Sequence, residues 1–365
     1  MSTDLGEAGT STQSRRNDNA FDFLRLLFAC MVILSHVPSQ QYGRAAAHRE
    51  LLMTITRHHL TWGDLAVDGF FLISGYLIVQ SFERCSGVKN YLFRRVARIY
   101  PAFVIAMLFS TWLVGWWGAV SRIGYFSIHH AAWFAIFTAA LKSYSPPVFS
   151  GYHFANVNGS TWTIQYEFLC YLLVIPTAVC GLFSGHSRLL AVTLTLAILQ
   201  LPGFPLHSLP NRWGNGSPLI NVISGPQAMP RFFLYFLTGA CYLKMKDRLF
   251  SHPRLLIAAT SGLIVYCIYP ALEPILLPAC FGFILFYFAL HAPKCLHNSA
   301  RYGDFSYGIY LYAWPITMAL LLMTNRQIAT GPLILFTILA STVFAAISWH
   351  LVERPILKWV HTKTR

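Results

Sequence analysis

Long apolar runs separated by short polar segments follow one another along almost the whole chain. Most of these runs approach the ~20 residues that an α-helix needs to cross a bilayer, although several are shorter. We assign ten transmembrane helices, at about residues 21–38, 65–82, 101–119, 161–182, 188–202, 231–245, 254–270, 275–291, 306–324 and 331–352. The pattern therefore predicts an all-α fold, a polytopic transmembrane helical bundle.

The segments around these runs define the expected domain boundaries. Residues 1–19 carry small, polar and charged side chains and predict a disordered cytoplasmic tail. Residues 20–353 then form the transmembrane domain, and residues 354–365 a cytoplasmic C-terminal tail. A moderately apolar run at 131–142 is too short to cross, and we interpret it as a re-entrant or interfacial segment.

The composition agrees with a membrane protein. Hydrophobic residues make up 55% of the chain and charged residues 11%, whereas soluble domains average about 25% charged residues. The net charge of +14 is typical of nucleic-acid-binding proteins, but no basic patch is interleaved with a soluble fold. With the N-terminus inside, cytoplasmic segments hold 18 Lys and Arg residues and outer segments hold 7. This asymmetry obeys the positive-inside rule and places both termini in the cytoplasm.

The first predicted helix contains two ionisable residues, Arg25 and His36. Such a residue at membrane depth costs roughly 2.5–3.5 kcal/mol on insertion scales, so it needs a partner or a function. Their separation of eleven residues returns to within about 20° of the same helix face and spans roughly 16 Å. The alternatives are a snorkelling anchor for Arg25 and a core or interfacial histidine for His36.

Two carboxylates are predicted at about the depth of His36, in the outer third of the membrane. Asp68 follows the start of the second helix, and Glu167 follows the start of the fourth. A general base with orienting carboxylates would need this arrangement. The alternative for Asp68 is a hydrated acid at the interface.

Three arginines and two aromatic residues complete the candidate chemistry. Arg94, Arg95 and Arg98 precede the third helix at its cytoplasmic end, and guanidinium groups suit the phosphates of a donor such as a coenzyme A thioester. Simple positive-inside anchoring is the alternative. Trp162 and Tyr166, four residues apart, are candidates for sugar stacking or for an aromatic belt. No His or Cys cluster has the spacing of a metal site.

Several motifs resemble those of acyltransferase family 3, integral membrane enzymes that acylate carbohydrates and other acceptors. They are the Arg25–His36 spacing and the runs at 67–75, 93–101, 158–163, 305–312 and 353–355. Relatives often have a histidine before the Trp-Pro pair, where this chain has Ala313. This departure argues against a catalytic role for that helix.

The resemblance implies an acyl-CoA donor, often acetyl-CoA, and transfer to a hydroxyl of an exported or lipid-linked glycan in the bacterial inner membrane. His36 would be the general base, with Asp68 or Glu167 holding its tautomer. Arg25 would stabilise charge at the thioester carbonyl or pair with a carboxylate. Arg95 and Arg98, with Arg94, would hold the coenzyme's phosphates. The further substrate-binding candidates are Trp162, Tyr166, Ser74 and Tyr312.

A second function fits some of the same features. A transporter or flippase for a glycan or small anion would also place ionisable residues within its helices. The chain shows no two-fold internal repeat and no matched pair of broken helices, which favours the enzyme. Membrane lipid is an expected partner and nucleic acid is not, while the oligomeric state stays open.

Overall fold

A computed structural model describes residues 19–209, 222 and 224–364. We number its longer helices α1 Phe21–Tyr42, α2 Trp62–Glu83, α3 Val88–Gly115, α4 Ile128–Ala139, α5 Ser160–Val179, α6 His186–Ile198, α7 Ala228–Leu249, α8 Leu255–Ile268, α9 Pro270–His291, α10 Ser306–Met323 and α11 Thr330–Lys363. Short helical turns connect some of them, at Arg44–Arg49, Leu51–Ile55, Leu182–Ser184 and Lys294–His297. Within the described ranges there is no β-strand.

The all-α membrane fold is confirmed, and each of the ten apolar runs coincides with a helix. In the described part of the chain, seven helices are long and apolar enough to cross a membrane: α1, α2, α3, α5, α9, α10 and α11. Of the others, α6 and α8 are apolar but have only 13 and 14 residues. The 22-residue α7 ends in a charged turn. The segment at 131–142 belongs to α4, whose 12 residues span about 18 Å, less than the ~30 Å hydrocarbon core.

The structure describes the two predicted tails to different extents. The N-terminal tail lies outside the described residues except for Asn19. At the other end, the chain stays helical from Arg354 to Lys363, beyond the expected boundary at residue 353. Arg94 of α3 donates hydrogen bonds to the hydroxyl and the carbonyl of Thr364, at 2.9 and 2.8 Å. The C-terminal segment is thereby attached to the start of α3.

The closest helix–helix packing is between α2 and α7. A Cβ atom at Gly75 would lie 1.8 Å from the carbonyl oxygen of Phe236, and one at Gly239 would lie 2.1 Å from that of Leu72. Glycine is therefore needed at both positions, because the two backbones touch. Small residues that allow such an approach are the usual means of packing helices in a membrane.

A proline explains how the segment before α5 docks on α10. Pro315 has no backbone N–H, so the carbonyl of Leu311, four residues earlier, loses its helical partner. Asn158 Nδ2 donates to this carbonyl at 2.8 Å. Ser160 Oγ donates to the neighbouring carbonyl of Tyr310 at 3.2 Å. These bonds fix the start of α5 against the second turn of α10.

Candidate functional site

Two cavities lie between α1, α5 and α10. The first, which we call the arginine cavity, has a volume of about 100 Å³ and is also bounded by α2 and α3. Its polar lining consists of Arg25, Arg95, Arg98, Ser74, Glu167, Thr163, Tyr171, Ser306, Tyr307 and Tyr310. The second, the histidine cavity, has a volume of about 10 Å³, and its polar lining includes His36, Gln40, Ser160, Thr317 and Tyr310. Arg25 and His36 thus line different cavities.

Two of the three arginines in the arginine cavity are paired with carboxylates. Arg98 donates to Asp304, and its other terminal nitrogen lies 3.7 Å from Glu353. Arg25 lies 3.5 Å from Asp304 and 3.6 Å from Asp22. Burial alone would raise the pKa of Asp304, but the positive charges of Arg98 and Arg25 lower it to about 2. Asp304 therefore stays ionised and is shared by both arginines, with Asp22 near Arg25 and Glu353 near Arg98 as further carboxylates.

Arg95 has a different environment. Over the described part of the chain, no carboxylate oxygen lies within 4.0 Å of its guanidinium. Its terminal nitrogen donates to Ser81 at 3.4 Å, and its Nε is buried without a hydrogen-bond partner. The guanidinium carbon lies 5.9 Å from the ring centres of Tyr91 and Tyr171. A buried cation without an anion is costly, so Arg95 is well suited to bind an anionic ligand.

Glu167 lies in the arginine cavity. Ser74 Oγ donates to Glu167 Oε1 at 3.1 Å, and the hydroxyl of Tyr171 donates to the same oxygen. The expected pairing of Glu167 with His36 is therefore corrected. The physical reason is their distance along α5: Ser160 lines the histidine cavity, and Glu167, seven residues and about 12 Å further along, lines the arginine cavity.

His36 faces the histidine cavity, where it meets the indole ring of Trp314 edge-on, with ring centres 5.3 Å apart. Gln40 follows one turn later on α1 and donates to the carbonyl of Trp314 at 3.3 Å. The amide oxygen of Gln40 is buried and has no hydrogen-bond partner in the described chain. An unpaired acceptor beside an imidazole fits a site that receives a hydroxyl group.

Asp68 has a partner that the sequence did not reveal. Arg231 of α7 donates to Asp68 at 2.8 Å and lies 3.8 Å from Glu273. The expectation that Asp68 orients His36 is therefore corrected, since no hydrogen bond joins the two among the described residues. Asp68 and Ser74 are six positions apart and so about 120° apart around α2. Ser74 therefore faces the arginine cavity, while Asp68 faces α7.

The remaining predicted residues lie outside both cavities. Trp162 is 45% exposed and packs against Phe232, with ring centres 5.4 Å apart. Tyr166 is buried and donates to the carbonyl of Gly225 at 2.7 Å. Tyr312 packs against Phe109 on the far side of α10. Arg94 binds Thr364 and does not line the arginine cavity.

The sequence reasoning missed several residues of the site, namely Gln40, Tyr171, Asp304, Tyr307 and Tyr310. Helical spacing could have found two of them, because Gln40 follows His36 and Tyr171 follows Glu167 by one turn. The role of Asp304 depends on a contact between distant helices, which spacing along the chain does not show.

A polytopic helical bundle with an arginine cavity next to a histidine cavity defines an integral membrane protein with a buried polar site. A model of the family described as "Acyltransferase domain" matches residues 18–351. The chain therefore belongs to acyltransferase family 3, and it is a membrane O-acyltransferase.

The relatives carry names of the same kind. An O-acetyl transferase of Shigella phage Sf6 is 25% identical, over 93% of this chain and 96% of the relative. Nodulation protein 10 of Rhizobium leguminosarum bv. viciae is 25% identical, over 97% of this chain and 96% of the relative. A Bacillus subtilis protein provisionally named a peptidoglycan O-acetyltransferase is 26% identical, over 88% of this chain but 55% of its own length. No solved structure matches the chain.

Proposed function

We propose that this enzyme transfers an acyl group, acetyl in the first instance, from coenzyme A to a hydroxyl of a cell-envelope carbohydrate. The observation that carries the proposal is Arg95, which is half-buried, has a buried and unpaired Nε and no carboxylate partner among the described residues, and lines a cavity next to that of His36. The names of the phage and Bacillus relatives support an acetyl group and a carbohydrate acceptor. Arg95 would bind a phosphate of the coenzyme, because a guanidinium forms strong charge-assisted hydrogen bonds with phosphate.

The reaction needs one base and one leaving group. His36 accepts the proton of the acceptor hydroxyl as the hydroxyl oxygen attacks the thioester carbonyl. A C–O bond forms, the C–S bond breaks, and the proton passes to the departing sulfur, which leaves as the coenzyme thiol. Glu167 would act indirectly by holding Ser74 and Tyr171 in the wall of the arginine cavity.

The proposal includes an orientation of the protein in the membrane. Arg25, near the start of α1, shares Asp304 with Arg98 of α3, and Arg94 of α3 binds Thr364 at the end of the chain. The starts of α1 and α3 and the end of α11 therefore lie on one side. The charge asymmetry favours the cytoplasm for that side, in the bacterial inner membrane. Coenzyme A would then enter the arginine cavity from the cytoplasm.

The proposal is tested in isolated membranes, which supply their own envelope glycan. Cells lacking the native gene express the wild type, His36→Ala or His252→Ala at matched levels. His252 is exposed and lines neither cavity, so it serves as the control histidine. With radiolabelled acetyl-CoA, we expect the wild type and the control to label the glycan and His36→Ala to lose labelling. Unchanged labelling by His36→Ala would overturn the mechanism, and no labelling by the wild type would overturn the proposed donor or acceptor.

A further inference from the structure

One residue of the described chain, Tyr310, lines both the arginine cavity and the histidine cavity. It is buried, with 7% of its surface exposed, and lies in the second turn of α10. Any group that passes from Arg95 towards His36 by the route these cavities define therefore has to pass the ring of Tyr310. The structure shows the two cavities as separate volumes with this ring between them.

The ring is held from two sides. The hydroxyl of Tyr310 donates to the carbonyl of Ser160, and Thr163 donates to the Tyr310 oxygen at 2.7 Å. The edge of the ring meets Phe70 of α2, with ring centres 6.1 Å apart. In return, Ser160 Oγ donates to the backbone carbonyl of Tyr310. These contacts join α2, α5 and α10 at one point and keep the ring in place.

The two cavities that Tyr310 lines have very different volumes. The arginine cavity measures about 100 Å³, whereas the histidine cavity measures about 10 Å³, which is the space of about one water molecule. A two-carbon acyl group is larger than one water molecule, so even this group has to displace part of the lining. Each further methylene would have to occupy the position of the Tyr310 ring.

We infer that Tyr310 is a specificity residue, whose fixed ring limits the acyl group that reaches His36 to a short one. The inference rests on the proposed function and adds the selection of acyl chain length. Tyr310 does not bind the coenzyme and takes no part in the proton transfer. Its substitution should therefore change the choice between acyl donors more than the binding of coenzyme A.

The test is a competition between equal concentrations of acetyl-CoA and butyryl-CoA in isolated membranes. Mass spectrometry of the released glycan gives the ratio of acetylated to butyrylated product, which is independent of the amount of folded enzyme. Tyr310→Ala should shift this ratio towards butyryl by about tenfold or more, the discrimination that one or two methylenes provide in a tight pocket. Tyr310→Leu is the second variant in case the alanine variant does not fold.

Two matched variants separate the ring of Tyr310 from other effects. Tyr310→Phe keeps the ring and loses only the hydroxyl, so its product ratio should equal that of the wild type. Tyr302→Ala removes an exposed ring that lines neither cavity and should also leave the ratio unchanged.

The outcomes distinguish this inference from the proposed function. Acyl transfer by the wild type and by Tyr310→Ala with the same product ratio would overturn the role of Tyr310 and leave the proposed function intact. If Tyr310→Ala and Tyr310→Leu both lose transfer yet are still stabilised by coenzyme A against heat, the ring is required for transfer itself and the assignment is also overturned. No transfer by the wild type would overturn both.

Discussion

Arg98, which lines the arginine cavity, donates a hydrogen bond to Asp304, at the level where α3 meets the start of α10. The arginines of the cavity therefore have two different roles. Arg98 and Arg25 balance buried carboxylates, whereas Arg95 stands only against aromatic rings and a hydroxyl. The run at 93–101 thus contains one arginine that stabilises the fold and another that is available to a ligand.

Arg98→Ala should destabilise the protein. It leaves Asp304 and Glu353 buried without their main cation, and breaking a buried ion pair costs about 3–5 kcal/mol. Thermal unfolding in detergent measures the loss. Arg188→Ala is the control, because Arg188 is exposed and bonds only to a carbonyl, so its change should stay within about 0.5 kcal/mol. Equal melting temperatures for the two variants would contradict the assignment.

The stabilisation of the fold by Asp304 should be lost at low pH. The pKa of Asp304 is lowered from 3.8 to about 2, so its stabilising effect is fully present above about pH 4 and is lost as the pH falls through about 2. The wild type should therefore be more stable than Asp304→Asn at neutral pH, and the difference should shrink in this acid range. Melting temperatures of both proteins across the range provide the measurement. A difference that stays constant down to about pH 2 would show that Asp304 is not the group involved.

Asp68 should behave as a structural partner of Arg231. Arg231→Gln leaves a fully buried carboxylate without its cation, which should cost about 3 kcal/mol or more. Adding Asp68→Asn should recover a large part of this loss, and a double-mutant cycle of unfolding free energies measures the coupling. If the two effects are simply additive, the residues do not act as a pair.

The glycine contacts between α2 and α7 give a further prediction. Gly75→Ala places a methyl group against the backbone carbonyl of Phe236, which cannot move without separating the helices. We expect poor insertion or loss of the folded protein, measured as the monodisperse fraction after extraction. Gly331→Ala is the control, since nothing lies within 4 Å of the position of its Cβ. Normal yields of Gly75→Ala would contradict the packing.

The sequence predicted the helices well and the site in part. Apolar run length determines which segments become membrane helices, so the positions of the ten runs were accurate. Of the three arginines assigned to the coenzyme's phosphates, Arg95 and Arg98 line the arginine cavity. The contacts of Asp68 with Arg231 and of Glu167 with Ser74 could not be predicted, because they depend on how α2 is rotated against α7 and α5. Such rotations leave no periodic signal in the chain.

The central claim is that Arg95 holds the acyl donor for reaction at His36. Initial rates of glycan acetylation at varied acetyl-CoA test it most directly, for the wild type, Arg95→Ala and the exposed control Lys89→Ala. Loss of a charged hydrogen bond of about 1.5–3 kcal/mol predicts a donor KM raised about ten- to a hundredfold in Arg95→Ala alone. A donor KM for Arg95→Ala equal to that of the wild type would contradict the account.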